Sequence, residues 1–600
     1  MGVNQHKLYS LKHLFCKSAV LLFILAGKPI YVLSQTAQPN MSNQKMVIYQ
    51  LLPRLFGNKN TTNAFYGTLA QNGVGKFNDI DEKALNGIKE LSVNYVWYTG
   101  VIAHASLTDY SRYGTPNSDA DVVKGIAGSP YAIRDYYDVD PDLAINVENR
   151  MAEFEALIKR THQAGLKVLI DFVPNHVARG YRSIAKPAHV VDFGANDDTT
   201  KSFSPGNDFY YLPGQKFVVP DIDKLKGPLD PLKDYQYTES PAKATGNNSF
   251  SAKPKDDDWY ETVKLNYGID YQNGEKTYFE PTPPVWTKMR DILSYWAEKG
   301  VDGFRCDMAE MVPVAFWKWL IPQLKQQYPN LVFIGEAYNP KAYETYLTQG
   351  NFDYLYDKVG LYDSLKTLIK NNADARSSAI SDAVKSVKAY DDRMLRFLEN
   401  HDEERIASAG FAGDPKLALP AMTVSATLGK GPVLLYFGQE VGEPGKGAEG
   451  FGGEDNRTTI FDYWGVPNHQ RWMNDGAFDG AKLNEDEQQL RNFYKKLLQI
   501  STTNEAIVKG DFIEIPSAEI NNPRVYAFFR ISSGQRVLVI ANFDRQQSFE
   551  AEITIPKEIL KNQALSKQPQ DALGAAPVKY LSENRIRVKL APVSSQIIVF

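Results

Sequence analysis

The chain has 600 residues, 43% of them apolar and 23% charged, with a formal net charge of −4. That length exceeds one ordinary hydrophobic core and calls for two or three domains. The balanced charge excludes the basic excess of a nucleic-acid partner, and beyond the N-terminal segment no stretch approaches the length of a membrane span.

At the N-terminus Lys7, Lys12 and Lys17 precede the apolar run AVLLFILAG and the looser stretch KPIYVLSQTAQ. Basic, apolar and small-residue regions in that order make a secretory signal, and the apolar run is too short to cross a bilayer. Lys28 inside the segment argues against a retained anchor. The signal is expected over residues 1–37, with cleavage near Ser34 and Ala37 and an exported product, periplasmic or extracellular. Cys16 would leave with it. Cys306 then stands alone, so no internal disulfide is expected and its strand neighbours make it a packing residue.

From Met46 onward, short apolar runs alternate with amphipathic stretches. The expected strands are MVIYQLL, VNYVWYTG, LKVLIDFV, VDGFRCDM, LVFIGEAY, FDYLYD, MLRFLEN and GPVLLYFG. Helical patterns such as NVENRMAEFEALIKRTHQAG and PPVWTKMRDILSYWAEKG lie between them, with Gly165 and Gly300 where helix C-caps belong. Such repeated units predict an α/β chain built on a (β/α)8 TIM barrel, over residues 38–177 and 268–504. A doubly wound open sheet fits less well, because no glycine-rich phosphate turn follows the first strand. The third strand is followed by residues 178–267, rich in Pro, Gly, Asp and Lys and without a long helical period. A structureless loop of that length is improbable, so an irregular subdomain is expected there. After residue 505 the alternating runs RVYAFFRIS, QRVLVIANF, FEAEITIP and RIRVKLA predict a C-terminal antiparallel β-sandwich.

Reacting groups in a barrel gather at the C-terminal ends of its strands. Those ends carry Asp171, Asn175 and His176 (DFVPNH), Arg305 and Asp307 (GFRCDMAEM), Glu336 (GEAY), and His401 and Asp402 (ENHD). Arg305 and Asp307 share one side of their strand, where an unpaired charge would be costly. In this order the blocks resemble those of the α-amylase family of retaining α-glucan hydrolases and transglycosylases, over the whole chain after the signal. The resemblance implies that Asp307 is the nucleophile, Glu336 the general acid/base and Asp402 a carboxylate that clamps sugar hydroxyls. Arg305 would position the nucleophile, His176 and His401 would bind hydroxyls, and Asp171 would pair with Arg305. GSPYAIRDYYDVDP resembles a loop whose tyrosine, here Tyr131, stacks under the attacked sugar, while Tyr136 and Tyr137 are expected to pack. Chemistry agrees: a cation beside Asp307 favours its ionised form, and Glu336, with no cation adjacent in sequence, suits a proton donor.

Two departures matter. Where the family's second block usually ends in Lys-His, this chain has Glu310 and Met311. Where many members place a calcium-binding aspartate before the segment matching KLNYGID, it has Lys264, and NGVGK replaces a second calcium loop. Hard cations need anionic oxygens, so no cofactor is expected and Asn175 should bond the lysine instead. DDDWYE, residues 256–261, is the remaining acidic ligand source. The expected partner is an α-glucan or maltooligosaccharide met by a monomer. Three functions stay open: an α-1,4-glucan hydrolase; an oligosaccharide-acting α-glucosidase, neopullulanase-like enzyme or transglycosylase; and an inactive glucan-binding protein, which the complete carboxylate set argues against.

Overall fold

The computed structural model describes residues 44–221, 232–255, 257–560, 565 and 567–600. The expected signal segment and Asp256 lie outside them. Among the described residues no helix is long and apolar enough to cross a membrane.

Eight parallel strands form the centre: β1 (Val47–Leu51), β2 (Tyr95–Tyr98), β3 (Lys167–Phe172), β4 (Gly303–Cys306), β5 (Val332–Gly335), β6 (Tyr354–Tyr356), β7 (Met394–Leu395) and β8 (Val433–Tyr436). Each pairs with its neighbours in the order β7-β6-β5-β4-β3-β2-β1-β8. Just past β7, the Arg396 amide donates to Pro432 O at 3.0 Å and Leu434 N donates to Arg396 O at 2.9 Å, which closes the ring. All eight coincide with the apolar runs read from the sequence. Strands covered on both faces need nearly continuous apolar residues, and that makes them legible.

Side-chain alternation sorts these strands into two layers. Val47, Tyr49, Val96, Val168, Ile170, Phe304 and Phe333 face the surrounding helices in one large core. Ile48, Trp97, Leu169, Ile334, Tyr356 and Leu434 fill the barrel interior. Asp171 lies between the outward Ile170 and Phe172, and Arg305 between the outward Phe304 and Cys306, so both charged side chains face inward. Cys306 is a buried free thiol among those packing residues. The helices Arg150–Gln163 and Pro284–Glu298 turn into β3 and β4 through Gly165 (φ +77°) and Gly300 (φ +98°), left-handed positions that favour glycine.

Residues 178–267 are mostly irregular and tied to the barrel by a short ladder in which His176–Ala178 pairs antiparallel with Thr262–Lys264. Val122, Leu212, Phe217, Ala242 and Tyr260 give this region a small core.

Beyond residue 510 a five-stranded and a three-stranded antiparallel sheet enclose a core containing Phe529, Leu538, Ile540, Ile553 and Val588. The alternating sequence predicts one solvated face per strand, yet Val525–Ile531 and Arg536–Asn542 are buried throughout. Tyr526, Phe528, Val537 and Val539 belong to the barrel's core, so the larger sheet is covered on both sides. Arg530 fastens it: its guanidinium, 1% exposed, donates to Leu428 O at 2.9 Å and Gly510 O at 2.7 Å. These carbonyls sit at helix ends, where a cation meets unpaired acceptors.

Candidate active site

The C-terminal ends of β3, β4, β5 and β7 bring the expected polar residues together around Arg305, which is 1% exposed. Its Nη1 donates to Asp307 Oδ1 at 2.8 Å and lies 3.5 Å from Asp171 Oδ1, its Nη2 is 2.8 Å from Glu336 Oε2, and its Nε donates to Tyr356 Oη at 3.1 Å. Strand register explains the reach, since Arg305 stands directly opposite Asp171 on β3 and Ile334 on β5, one turn of the backbone short of Glu336. One guanidinium therefore bridges both strand-end carboxylates. No cation is adjacent to Glu336 along the chain, but adjacency across the barrel supplies one. Met308, held at φ +43°, turns its amide to Glu336 Oε2 at 2.7 Å.

Electrostatics corrects one expectation. Burial and the charge of Glu336 push the Asp307 carboxyl well above the usual range, with Arg305 opposing them. The guanidinium offsets burial rather than driving the carboxyl below its ordinary value. Burial likewise raises Asp171 to about 6 against the pull of Arg305. Confinement and Glu336 push Asp402 up to about 7, although its side chain is 37% exposed and water softens that shift.

Asparagine and glutamine amides set the two histidines. Lys264 Nζ donates to Asn175 Oδ1 and Asn175 Nδ2 donates to Gly246 O at 2.8 Å, so Nδ2 faces His176 Nδ1 at 3.0 Å. His176 then carries its proton on Nε2. Burial and the Lys264 charge lower it to about 3, so it is neutral at ordinary pH. Gln50 Nε2 contacts His401 Nδ1 at 2.8 Å, leaving Nε2 of that ring 2.5 Å from Tyr131 Oη and 3.1 Å from Asp402 Oδ2. Burial and Arg305 hold His401 well below the usual imidazole range. Tyr131 stacks on His401 with ring centroids 5.2 Å apart and donates to Asp171 Oδ1 at 3.3 Å.

Tyr131, His176, Asp307, Glu336, His401 and Asp402 all line one cavity of about 350 Å³. Asp171 and Arg305 lie beneath it. Asn175 lies behind His176 and takes no part in the wall. Tyr136 and Tyr137 are buried in the core. Sequence reading missed Gln50, Trp97, Trp259 and Tyr338. Gln50 is visible as a lone amide within the apolar β1, and Trp97 is the penultimate residue of β2, where its Nε1 donates to Asp171 Oδ2 at 3.0 Å. Trp259 beside His176 (5.2 Å between rings) and the far wall of Phe451 and Phe461 come from irregular segments without a periodic signal.

A family model described as the alpha amylase catalytic domain matches residues 50–510. The chain belongs to the α-amylase family. This α-amylase-type glycoside hydrolase is 22% identical over 490 residues to Alpha-amylase 3 of Dictyoglomus thermophilum, covering 79% of this chain and 81% of that one. It is 23% identical over 548 residues to a cyclomaltodextrinase of Thermoanaerobacter pseudethanolicus, covering 87% and 74%. Among solved structures, a maltogenic alpha-amylase from Thermotoga neapolitana superimposes with TM-score 0.58 at 20% identity, covering 92% of this chain and 98% of that one. An alpha-amylase from Geobacillus thermoleovorans, solved with acarbose, gives TM-score 0.58 at 18% identity, covering 92% and 98%.

Proposed function

We propose that this glycoside hydrolase cleaves α-1,4-glucosidic bonds of starch-like glucans and maltooligosaccharides, with Asp307 as nucleophile and Glu336 as general acid/base. The observation that carries the assignment is the single guanidinium holding Asp307 Oδ1 and Glu336 Oε2 at the rim of one cavity. Retaining hydrolysis needs two carboxyls flanking the anomeric carbon. Asp307 attacks that carbon while Glu336 protonates the leaving oxygen, giving a covalent glycosyl-enzyme. Glu336 then takes a proton from water, and the hydroxide displaces Asp307. Asp402, His401 and His176 hold sugar hydroxyls, and Tyr131 lies against the ring. Relatives named alpha-amylase and cyclomaltodextrinase, and the acarbose held by the Geobacillus protein, support an α-glucan.

The residues at the expected calcium position do not fit calcium. Lys264 Nζ donates to Asn175 Oδ1 and to Met311 O (3.2 Å), occupying two oxygens and placing a nitrogen donor where a cation would sit. Burial lowers Lys264 to about 7, but amine and ammonium alike keep nitrogen on those oxygens. Lys76 of NGVGK similarly donates to Asp142 O at 2.5 Å. Of the remaining acidic run, Asp258 is bonded to Asn247 and Glu261 is paired with Lys124 at 2.7 Å. No metal is needed in this reading, and export by the N-terminal signal completes it.

Proton NMR of maltotetraose hydrolysis tests the function. Retention predicts α-anomeric sugar first, with the β-anomer appearing only as mutarotation proceeds. Initial β-anomer, or inertness toward starch, pullulan and maltotriose alike, contradicts it.

A further inference from the structure

Glu310 and Tyr338 stand where the mechanism above has no use for them, yet both are bonded toward Glu336. The Tyr338 hydroxyl donates to Glu336 Oε1 at 2.6 Å. The Glu310 carboxylate accepts from the backbone amides of Tyr338 at 3.1 Å and Asn339 at 3.0 Å, one on each oxygen. Tyr346 pins the backbone carrying Glu310, donating to Glu310 O at 3.1 Å and to Val312 O at 2.9 Å. Glu310 is the departure from the Lys-His ending, and here its carboxylate is bonded to the loop behind Glu336.

From this geometry we propose that Glu310 and Tyr338 are positioning residues for the general acid: Glu310 clasps the loop, and the clasped Tyr338 hydroxyl holds and polarises Glu336. The inference rests on the assignment of Glu336 as the acid. Arg305 and the Met308 amide occupy Oε2. Oε1, bonded to the cavity-wall residue Tyr338, is left to carry the proton. As the C1–O bond breaks, that proton passes from Oε1 to the glycosidic oxygen and Asp307 bonds to C1. Negative charge then develops on Oε1, where the phenol hydrogen bond strengthens, as a preorganised donor should. In the second step water returns its proton to Oε1. Tyr338 is a partly exposed wall of the cavity, so its own packing does not account for the bond.

Leaving-group dependence tests this. Maltotetraose needs a proton on its leaving oxygen, whereas α-maltosyl fluoride expels fluoride with little help. For Tyr338→Phe, kcat on maltotetraose should fall about tenfold at unchanged KM, while the fluoride rate stays within about twofold of wild type. Glu310→Ala should show the same selective loss, with Glu310→Gln milder. Acting through Tyr338, Glu310→Ala should add nothing to Tyr338→Phe in the double variant. Equal losses on both substrates, no loss on either, or additive losses in the double variant would overturn the clasp while leaving Glu336 as the acid. Wild-type protein inert toward both substrates would overturn the glycosidase reading instead, and the clasp with it.

Discussion

Arg305 is the residue on which the site turns, because it is a buried cation facing Asp171, Asp307 and Glu336. Its pairing with Asp171 was implied by the resemblance of the blocks, and the register of β3 and β4 sets the two residues side by side. Its pairing with Glu336 was not legible, because contact across a barrel depends on side-chain reach rather than spacing. Asp307, Asp171 and Asp402 all hold protons more tightly in the fold than an ordinary aspartate, chiefly through burial. With ionised Asp307 as the proposed attacking form, activity should vanish as pH falls through that raised value. The acidic limb of kcat/KM is expected above the free-aspartate range of about 4, and Arg305→Gln should move it higher still. Stability has the matching sign. Between about pH 4 and the raised values the folded state binds more protons than the unfolded state, so these groups destabilise increasingly as pH rises. Asp307→Asn should therefore abolish nearly all turnover, keep the circular-dichroism spectrum, and raise Tm at pH 8 more than at pH 4.5. A Tm gain independent of pH would contradict the linkage. His176 and His401, the two histidines of the cavity, are held neutral, so no imidazole step is expected in the same profile between pH 5 and 8.

At the scale of elements, the barrel strands were readable because burial on both faces writes uninterrupted apolar runs. Strands Asp511–Glu514 and Ser594–Val599 were not read, the first because it is short and half exposed, the second because polar residues open it. The short ladder His176–Ala178 with Thr262–Lys264 joins the insertion to the barrel, and Lys264 is its buried cross-link to Asn175 and Met311. With an amine in that place, the reading proposed above needs no metal at the junction. Treatment with a chelator is expected to leave Tm and starch hydrolysis unchanged, as differential scanning fluorimetry and a reducing-sugar assay would read. A drop of many degrees restored by calcium would contradict it. Lys264→Met should be felt at the site, because Asn175 loses the partner that orients its amide toward His176. KM is expected to rise more than kcat falls, since the role proposed for His176 is to bind sugar in both ground and transition states.

Across the whole molecule, the C-terminal sheets are docked by apolar burial and by hydrogen bonds, among them those of the buried Arg530. Alternating strands made a sandwich legible, but the second buried face depends on a partner surface that a strand's own period does not reveal. Arg530→Met would leave helix-end carbonyls, Leu428 O and Gly510 O among them, without a donor. The expected cost is roughly 3 kcal/mol, seen as a lower Tm with kcat per folded molecule unchanged. An unaltered Tm would show that the apolar face docks the sheet alone.

Retaining catalysis at Asp307 is tested most directly by trapping its covalent intermediate. Protein incubated with 5-fluoro-α-D-glucosyl fluoride, digested and analysed by mass spectrometry should carry one fluoroglucosyl group on the peptide containing Asp307, absent from Asp307→Asn. A label on another carboxylate, or turnover of starch with no residue ever labelled, would contradict the assignment.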